Sequence, residues 1–553
     1  MKLLIIGGVA GGASAATRAR RLSETAEIVM FERGPDVSFA NCGLPYHIGG
    51  EIKDRNKLLV TTPAKLHERF NLDVRVRSSV LAIDRTQKTV HVRELNTGRE
   101  YDESYDKLIL APGAAPLRPS LPGIDLPGIH TLRNLPDMDR IKAIVDAGAK
   151  SAIVIGAGFI GLEMVENLIH RGVQTTVVEL QDQVLPPLDR EMTTPLAEVL
   201  AAKAKGVTLL LSESAEGFES ADEEIVVQLK SGKRLQAPLV ILGIGVKPEN
   251  QLAIAAGLEV GPRGGIRVNE QLQTSDPDIY AVGDAIEVRD VISDSPTQVP
   301  LAGPANRQGR LAADHIFGKQ VRYRGTQGTA IVGLFGKTAA LTGASEKSLQ
   351  RSGIPYRMVY IHPAHHAGYY PGAQAMALKL LFTPDDGRIL GAQAVGGEGV
   401  DKRIDVIAVA IQAKMTVFDL EEVELAYSPQ FGSAKDPVNM AGFVAANLLR
   451  GDHPQIDVAA YEKLAGDDQP FLLDVRTADE FNAGHIPGAT NISIDVLRAH
   501  LDELPRGRDI VAYCQVGQRG YLATRILLQA GFRVRNLSGG YKTYLLWHPA
   551  EAK

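Results

Sequence analysis

At 553 residues the chain is too long to fold around one hydrophobic core, and three or four domains are expected. A hydrophobic fraction of 44%, a charged fraction of 23% and 55 glycines fit an α/β protein. The net charge of −5 comes without any basic block, which argues against nucleic-acid binding. Two cysteines, Cys42 and Cys514, cannot build a disulfide framework; they point to a reducing, cytoplasmic setting. No apolar run reaches the length of a membrane span, so no membrane partner is expected.

The chain opens on "KLLII" (2–6), then "GGVAGG" (7–12), then an alanine-rich stretch running through Arg21. A short apolar run followed at once by a glycine loop reads as buried strand, tight turn and helix rather than as a signal peptide. "SAIVI" (151–155), "GAGFIG" (156–161) and "LEMVENLIHRG" (162–172) repeat the plan. Two nucleotide-binding βαβ units are therefore expected. "KLILAPG" (107–113) and "LVILGIG" (239–245) read as further buried parallel strands feeding turns. Residues 321–445 are less repetitive. "GDHPQ" (451–455) reads as a linker, and a compact α/β pattern follows it.

Gly156, Gly158 and Gly161 form G-x-G-x-x-G directly after a strand. The first glycine permits the turn, the second lets pyrophosphate approach, and the third lets the helix pack on the strand. The helix N-terminus then faces the phosphates. Glu179 closes the next strand, "TTVVE". A carboxylate there accepts the ribose hydroxyls and repels a 2′-phosphate, which favours NADH. The first unit carries Gly7, Gly11 and Gly12, with Val9 in place of the central glycine and Glu32 closing its second strand. "TSDPDIYAVGDA" (274–285) resembles the second FAD motif of the pyridine nucleotide-disulfide oxidoreductases. That resemblance implies FAD on the first unit, with Asp284 bonding its ribityl or pyrophosphate region. It also implies Phe159 covering the flavin on the nicotinamide side, and Ala302 of "LAGPANRQGR" running beside the ring.

Many members of that class shuttle electrons through C-x-x-x-x-C. Gly43 to His47 contain no second cysteine, so Cys42 must cycle as a sulfenic acid, a mixed disulfide or a persulfide. "SFANCGLPY" (38–46) resembles the single-cysteine branch of NADH peroxidases, NADH oxidases and coenzyme A-disulfide reductases. Ser38 and Asn41 become substrate-binding candidates by that resemblance. The first two groups carry G-x-x-H-G-G in the first glycine loop; here the histidine slot is Ala10, as in the coenzyme A-disulfide reductases. "HAGYYPG" (366–372) and "AYSPQFGSAKDPVN" (426–439) resemble the dimerisation domain of that family. Its homodimer brings two tyrosines to the partner's cysteine, here Tyr427 and, by spacing, Tyr369 rather than Tyr370. Phenols there stabilise a departing thiolate. Arg18 and Arg21 on the first helix are candidates for coenzyme A phosphates, with solvated arginines an equal reading.

"FLLDVRTADEFNAGHIPGATNI" (471–492) and "VAYCQVGQRGYLATRILLQAGF" (511–532) resemble the rhodanese family. Cys514 follows a strand and precedes a helix, and Cys514 to Arg519 makes a six-residue loop. Successive backbone N–H groups and the helix dipole would lower the thiol pKa and hold a persulfide anion. The related phosphatases use a loop one residue longer. His485 is read as supporting the fold.

The expected architecture is α/β. A discontinuous FAD domain (1–110 and 245–320) and an NAD domain (111–244) precede an α+β dimerisation domain (321–450) and a rhodanese domain (456–553). The whole resembles fusions of a coenzyme A-disulfide reductase with a rhodanese. That implies NADH-dependent reduction of persulfide, polysulfide or coenzyme A disulfide through Cys42, with sulfane sulfur handled on Cys514. Coenzyme A is then substrate or bound cofactor, and no metal is required. The alternatives are a plain disulfide reductase with a docking or sensing rhodanese module, and a flavin-based redox sensor.

Overall fold

The computed structural model describes residues 1–202, 206–222, 224–464 and 469–549. It forms two compact units: residues 1–182 with 203–328, and residues 183–202 with 329–553. No helix among the described residues is long and apolar enough to cross a membrane.

The first unit contains two parallel sheets of the same design. In the first, β1 (Lys2–Ile6) runs into α1 (Ala10–Leu22), and β2 (Glu27–Glu32), β3 (Asp73–Val76) and β4 (Lys107–Leu110) follow. The second comprises β5 (Ile129–His130), β6 (Ser151–Ile155), α2 (Phe159–His170), β7 (Gln174–Val178), β8 (Val207–Leu210) and β9 (Val240–Leu242). The chain then returns to the first sheet with β10 (Ile279–Ala281) and α3 (Ala302–Ile316). The strand orders are β3-β2-β1-β4-β10 and β8-β7-β6-β9-β5, parallel throughout. Near-continuous apolar strands such as Leu3–Ile6 and Leu108–Leu110 are buried, as a sheet covered on both faces requires. Sheets of this kind take ligands at the carboxyl ends of their strands, where the order reverses. That places both glycine loops, after β1 and β6, at ligand-binding edges.

The second unit contains an antiparallel sheet and a parallel one. The antiparallel sheet has the order β11 (Ala330–Leu334), β12 (Lys337–Gly343), β15 (Ile389–Gly396), β14 (Met376–Phe382), β13 (Arg357–Ile361). Helices α4 (Val400–Gln412) and α5 (Pro437–Leu449) follow it in sequence. The parallel sheet has the order β16 (Gln455–Ile456), β20 (Val534–Leu537), β19 (Ile510–Tyr513), β17 (Phe471–Asp474), β18 (Thr490–Asn491). It carries α6 (Gln518–Gln529) and α7 (Gly540–Trp547).

The stretch 451–455, read above as a linker, is instead part of this packing. His453 is buried and its ring lies 4.4 Å from that of Tyr521. Gln455 opens β16, which pairs with Asn536 and Leu537. A short polar run looks like a tether in sequence; here its backbone completes a sheet edge.

Within the second unit, Lys379 is fully buried. Its Nζ lies 2.9 Å from Asp189, 2.7 Å from Glu191 and 2.8 Å from Glu346. These carboxylates converge as a metal site would, and the ammonium sits among them. Burial opposes its charge, but Tyr360 and the three carboxylates outweigh that and hold its pKa well above the ordinary value. The cluster ties helix Arg190–Ala201 to β14.

Candidate active sites

The two glycine loops superimpose in their local chemistry. Gly7 and Gly156 have φ of +100° and +101°, a region open to glycine. Gly7 N donates to Phe31 O and Gly156 N to Val178 O, both at 2.8 Å. A Cβ at Gly12 would lie 1.8 Å from Gly7 O, and one at Gly161 2.0 Å from Gly156 O. Gly11 packs against Val282. Gly158 has nothing within 4 Å of where its Cβ would be, which leaves room for a pyrophosphate; Val9 takes that N-cap position in the first loop.

The acids at the strand ends match as well. Glu32 accepts from Gly8 N (2.9 Å) and Gly34 N (2.7 Å). Glu179 is buried and accepts from Ala157 N (2.7 Å) and Gln181 N (2.8 Å). Each carboxylate is thus fixed beside its loop, and carboxylate oxygens retain capacity for ribose hydroxyls. Asp284 lies in the turn Gly283–Ala285 after β10. It has no hydrogen-bond donor among the described residues, and burial pushes its carboxyl up. Ala302 is the exposed first residue of α3, and Gly303 has open space beside it. A half-buried acid without a donor, in a turn whose Gly283 packs on Ala305 of α3 and whose preceding residue Val282 meets Gly11 of the first loop, fits a bound flavin dinucleotide; Phe159, first residue of α2, stands on the second loop.

Cys42 is an exposed residue in the helical turn Asn41–Gly43, just before the short helix Leu44–Gly49. Ser38, at φ +48°, ties this segment to the first glycine loop: its N–H donates to Gly8 O at 2.8 Å. Asn41 Oδ1 lies 3.8 Å from Cys42 Sγ. Partial burial, then the Glu163 and Asp284 carboxylates, push the Cys42 thiol up. Glu163 of α2 meets Tyr46 (Oη to Oε1, 3.5 Å). Burial, with Glu166 adding to it, raises the Glu163 carboxyl to about 7. Sequence reading missed Tyr46 and Glu163. Glu163 follows Phe159 by one helical turn, so the spacing carried a signal. Arg18 is not solvated: its Nε and Nη2 bond Asp314 Oδ1 at 2.7 and 2.6 Å. Arg21 is exposed at the C-terminal end of α1.

In the second unit Tyr369 and Tyr427 are 76% and 49% exposed, and their hydroxyls are 2.9 Å apart. That bond raises the Tyr369 pKa. Tyr370 turns elsewhere, towards Gln430 and the His366 ring. Arg403, 1% exposed, bonds His365 O (2.7 Å) and Asp436 (2.9 Å), so it stitches together the two loops that carry the tyrosines.

Cys514 is buried at the end of β19, and the loop ends at Gly517 (φ +92°), the N-cap of α6. Tyr541 N donates to Cys514 O at 2.8 Å and Lys542 N to Gln515 O at 3.0 Å. In a trans peptide the N–H points opposite the C=O. Pinning these two carbonyls against α7 therefore turns the amides of Gln515 and Val516 the other way, as an anion cradle needs. Arg476, buried with Asp474, donates to Gln515 Oε1 at 3.0 Å. Arg519 forms a fork with Glu480 at 2.7 and 2.6 Å, which pulls the Glu480 carboxyl down to about 2. Glu480 also closes a capping box with Thr477. His485 stacks on Phe481 at 3.8 Å.

Comparison with known proteins matches residues 1–309 to the pyridine nucleotide-disulphide oxidoreductase family, 329–436 to the dimerisation domain of that family, and 457–546 to the rhodanese-like domain. The chain is 36% identical to coenzyme A disulfide reductase of Staphylococcus aureus over 446 residues, 80% of this chain and 99% of that one. It is 49% identical to the reduced CoADR-RHD of Bacillus anthracis, with a TM-score of 0.97 over 100% of this chain and 98% of the other. It is 37% identical to an NAD-dependent persulfide reductase from A. fulgidus, with a TM-score of 0.91 over 98% and 100%. The family implies FAD and a nicotinamide dinucleotide, in keeping with the twin cradles. With the matched segments in this order, the chain belongs to the pyridine nucleotide-disulphide oxidoreductase family, as a member carrying a dimerisation domain and a C-terminal rhodanese domain.

Proposed function

We propose that the protein is an NADH-dependent reductase of persulfides and coenzyme A disulfides, acting through Cys42, with Cys514 carrying sulfane sulfur. The observation that carries this reading is the isolation of Cys42. No second cysteine lies near it in sequence, and the other thiol of the chain occupies a rhodanese loop. Gly7, Gly11, Gly12, Glu32, Asp284 and Ala302 would hold FAD, and Gly156, Gly158, Gly161 and Glu179 would hold NADH. When bound, the flavin supplies the electron pair, taken from NADH as hydride, that splits the sulfur adduct on Cys42.

The Cys42 thiolate attacks one sulfur of the substrate. A new S–S bond forms to Cys42, the old one breaks, and the leaving thiolate departs with its electron pair. Partial burial, and then the carboxylates of Glu163 and Asp284, disfavour a free thiolate at Cys42, so the site needs donors to the departing sulfur. The exposed Tyr369–Tyr427 pair supplies hydroxyls suited to that task, delivered from the second subunit of a homodimer. Ala10 leaves the first loop without the histidine that peroxide chemistry would use. Ser38 and Asn41 border the substrate thiol, while the exposed Arg21 suits the phosphates of coenzyme A; Arg18 is committed to Asp314. Arg519 and the amides of Gln515 and Val516 face the sulfur on Cys514.

Single substitutions at the two cysteines test the reading. Cys42→Ser should abolish NADH-driven reduction of every disulfide and persulfide while flavin reduction by NADH survives. Cys514→Ser should abolish sulfur transfer from thiosulfate and leave reduction of a small diffusible persulfide intact. Full reductase activity in Cys42→Ser would reject the assignment.

A further inference from the structure

The carbonyls that orient the Cys514 cradle are held by the start of α7, and the start of α7 is held from outside the rhodanese domain. Gly539 and Gly540 have φ of +69° and +62°. A Cβ on Gly540 would lie 2.2 Å from Cys514 O, so the strip touches the back of the loop; one on Gly539 would lie 2.8 Å from Tyr360 Cβ. Ser538 Oγ accepts from Tyr360 N at 3.3 Å. Thr543 Oγ1 and His362 Nε2 are 2.7 Å apart. Tyr360 Oη in turn donates to Glu191 at 2.9 Å, within the Lys379 cluster. Residues 538–543 are thus a two-sided strip, with the Cys514 loop on one face and the end of β13 on the other.

We infer that His362, at the end of β13 in the dimerisation domain, is a positioning residue for the sulfur chemistry of Cys514. It anchors Thr543, and through the 538–543 strip it fixes the peptide planes that turn the Gln515 and Val516 amides toward bound sulfur. This deepens the reading that Cys514 carries sulfane sulfur and rests on it. The rhodanese domain, on this view, does not bring a complete cradle of its own; the reductase body braces it.

The test uses the full-length holoenzyme and compares His362→Ala, His362→Gln and Thr543→Val. Alkylation of Cys514 is followed by peptide mass spectrometry, with iodoacetate as an anionic probe and iodoacetamide as a neutral one. Their rate ratio reads the anion cradle and is insensitive to a general change in exposure. Thiosulfate-to-cyanide sulfur transfer is measured in parallel: the Cys514 thiolate takes the sulfane sulfur, sulfite leaves with the electron pair, and cyanide then removes that sulfur as thiocyanate.

His362→Ala should lower both the ratio and the transfer rate by roughly tenfold, less than the roughly hundredfold that a misplacement of reacting groups by about 1 Å can cost. His362→Gln, which can still bond Thr543, should restore most of the loss, and Thr543→Val should reproduce it. An unchanged ratio in both His362→Ala and Thr543→Val overturns the inference, whether or not the module stays docked. A wild-type chain that transfers no sulfur, but whose alkylation ratio still answers to His362, would sink the sulfur-carrier reading and spare the positioning role.

Discussion

Acid should loosen the second unit through two histidines held neutral. Burial, with Lys542 adding to it, lowers the His362 pKa from an ordinary 6.5 to about 3. Burial, with Arg525 adding to it, lowers that of His453 to about 4. The unfolded chain takes up protons at both sites as pH falls through 6.5; the folded chain does not until far lower. Stability is therefore full above the unfolded value and falls as pH drops from there toward about 3 and 4. At about pH 5 each site has moved roughly 1.5 pH units below the unfolded pKa, which removes about 2 kcal/mol per histidine and about 4 kcal/mol together.

Trp547, the single tryptophan of the chain, lies in α7 and reports on this unit alone. Its fluorescence during urea unfolding should show a midpoint at about pH 5 lower by roughly 2 M than at about pH 8, taking a slope of about 2 kcal/mol/M. Other groups titrate over the same range, so the decisive quantity is a difference. His362→Gln should remove about half of the histidine share, and His362→Gln/His453→Gln nearly all of it. A double variant whose midpoint still falls as far as that of the wild type would refute the reasoning.

Lys379→Met should cost about 3–5 kcal/mol by leaving buried carboxylates uncompensated; a loss under about 1 kcal/mol in the same fluorescence assay would contradict the cluster's role. The wild-type protein should prefer NADH to NADPH in kcat/KM, and Glu179→Ala should narrow the gap, because the fixed carboxylate repels a 2′-phosphate. If the proposed role of Tyr427 holds, Tyr427→Phe should slow disulfide reduction while light scattering still shows a dimer, because it removes only a hydroxyl and keeps the ring. Glu480→Gln should slow sulfur transfer at Cys514 by releasing the Arg519 fork, with NADH-driven reduction at Cys42 unaffected.

Local features were the most legible in sequence. The twin glycine loops follow from short-range sterics: Gly12 and Gly161 cannot carry a side chain beside the carbonyls of Gly7 and Gly156, so the pattern of glycines and strand-end acids discloses the fold. Strands such as Ser151–Ile155 coincide with the apolar runs that suggested them. Long-range polar pairing was not legible. Arg18 finds Asp314 almost three hundred residues away, and no spacing rule links them. Arg519 meets Glu480 from a separate segment of the chain, and again no spacing rule links them. The 451–455 stretch was misjudged because a sheet-edge strand uses its backbone, and backbone pairing leaves little trace in polar side chains.

The two cysteines differ in what prepares them for sulfur. Cys42 is exposed, yet partial burial and then the acids around it push its thiol up; on the proposed reading its reactivity comes from groups that arrive with bound cofactor and a second subunit. Cys514 is buried in a loop whose carbonyls are already tied down and whose amides are already turned outward. On that reading one thiol is conditional on assembly, while the loop of the other is pre-organised within its own chain. That asymmetry suits a division in which sulfane sulfur is stored where the cradle is permanent and reduced only where a cofactor-bearing dimer is complete. It also explains why the rhodanese domain is braced by the dimerisation domain: a permanent cradle needs a rigid back, and the 538–543 strip against Tyr360 and His362 supplies it.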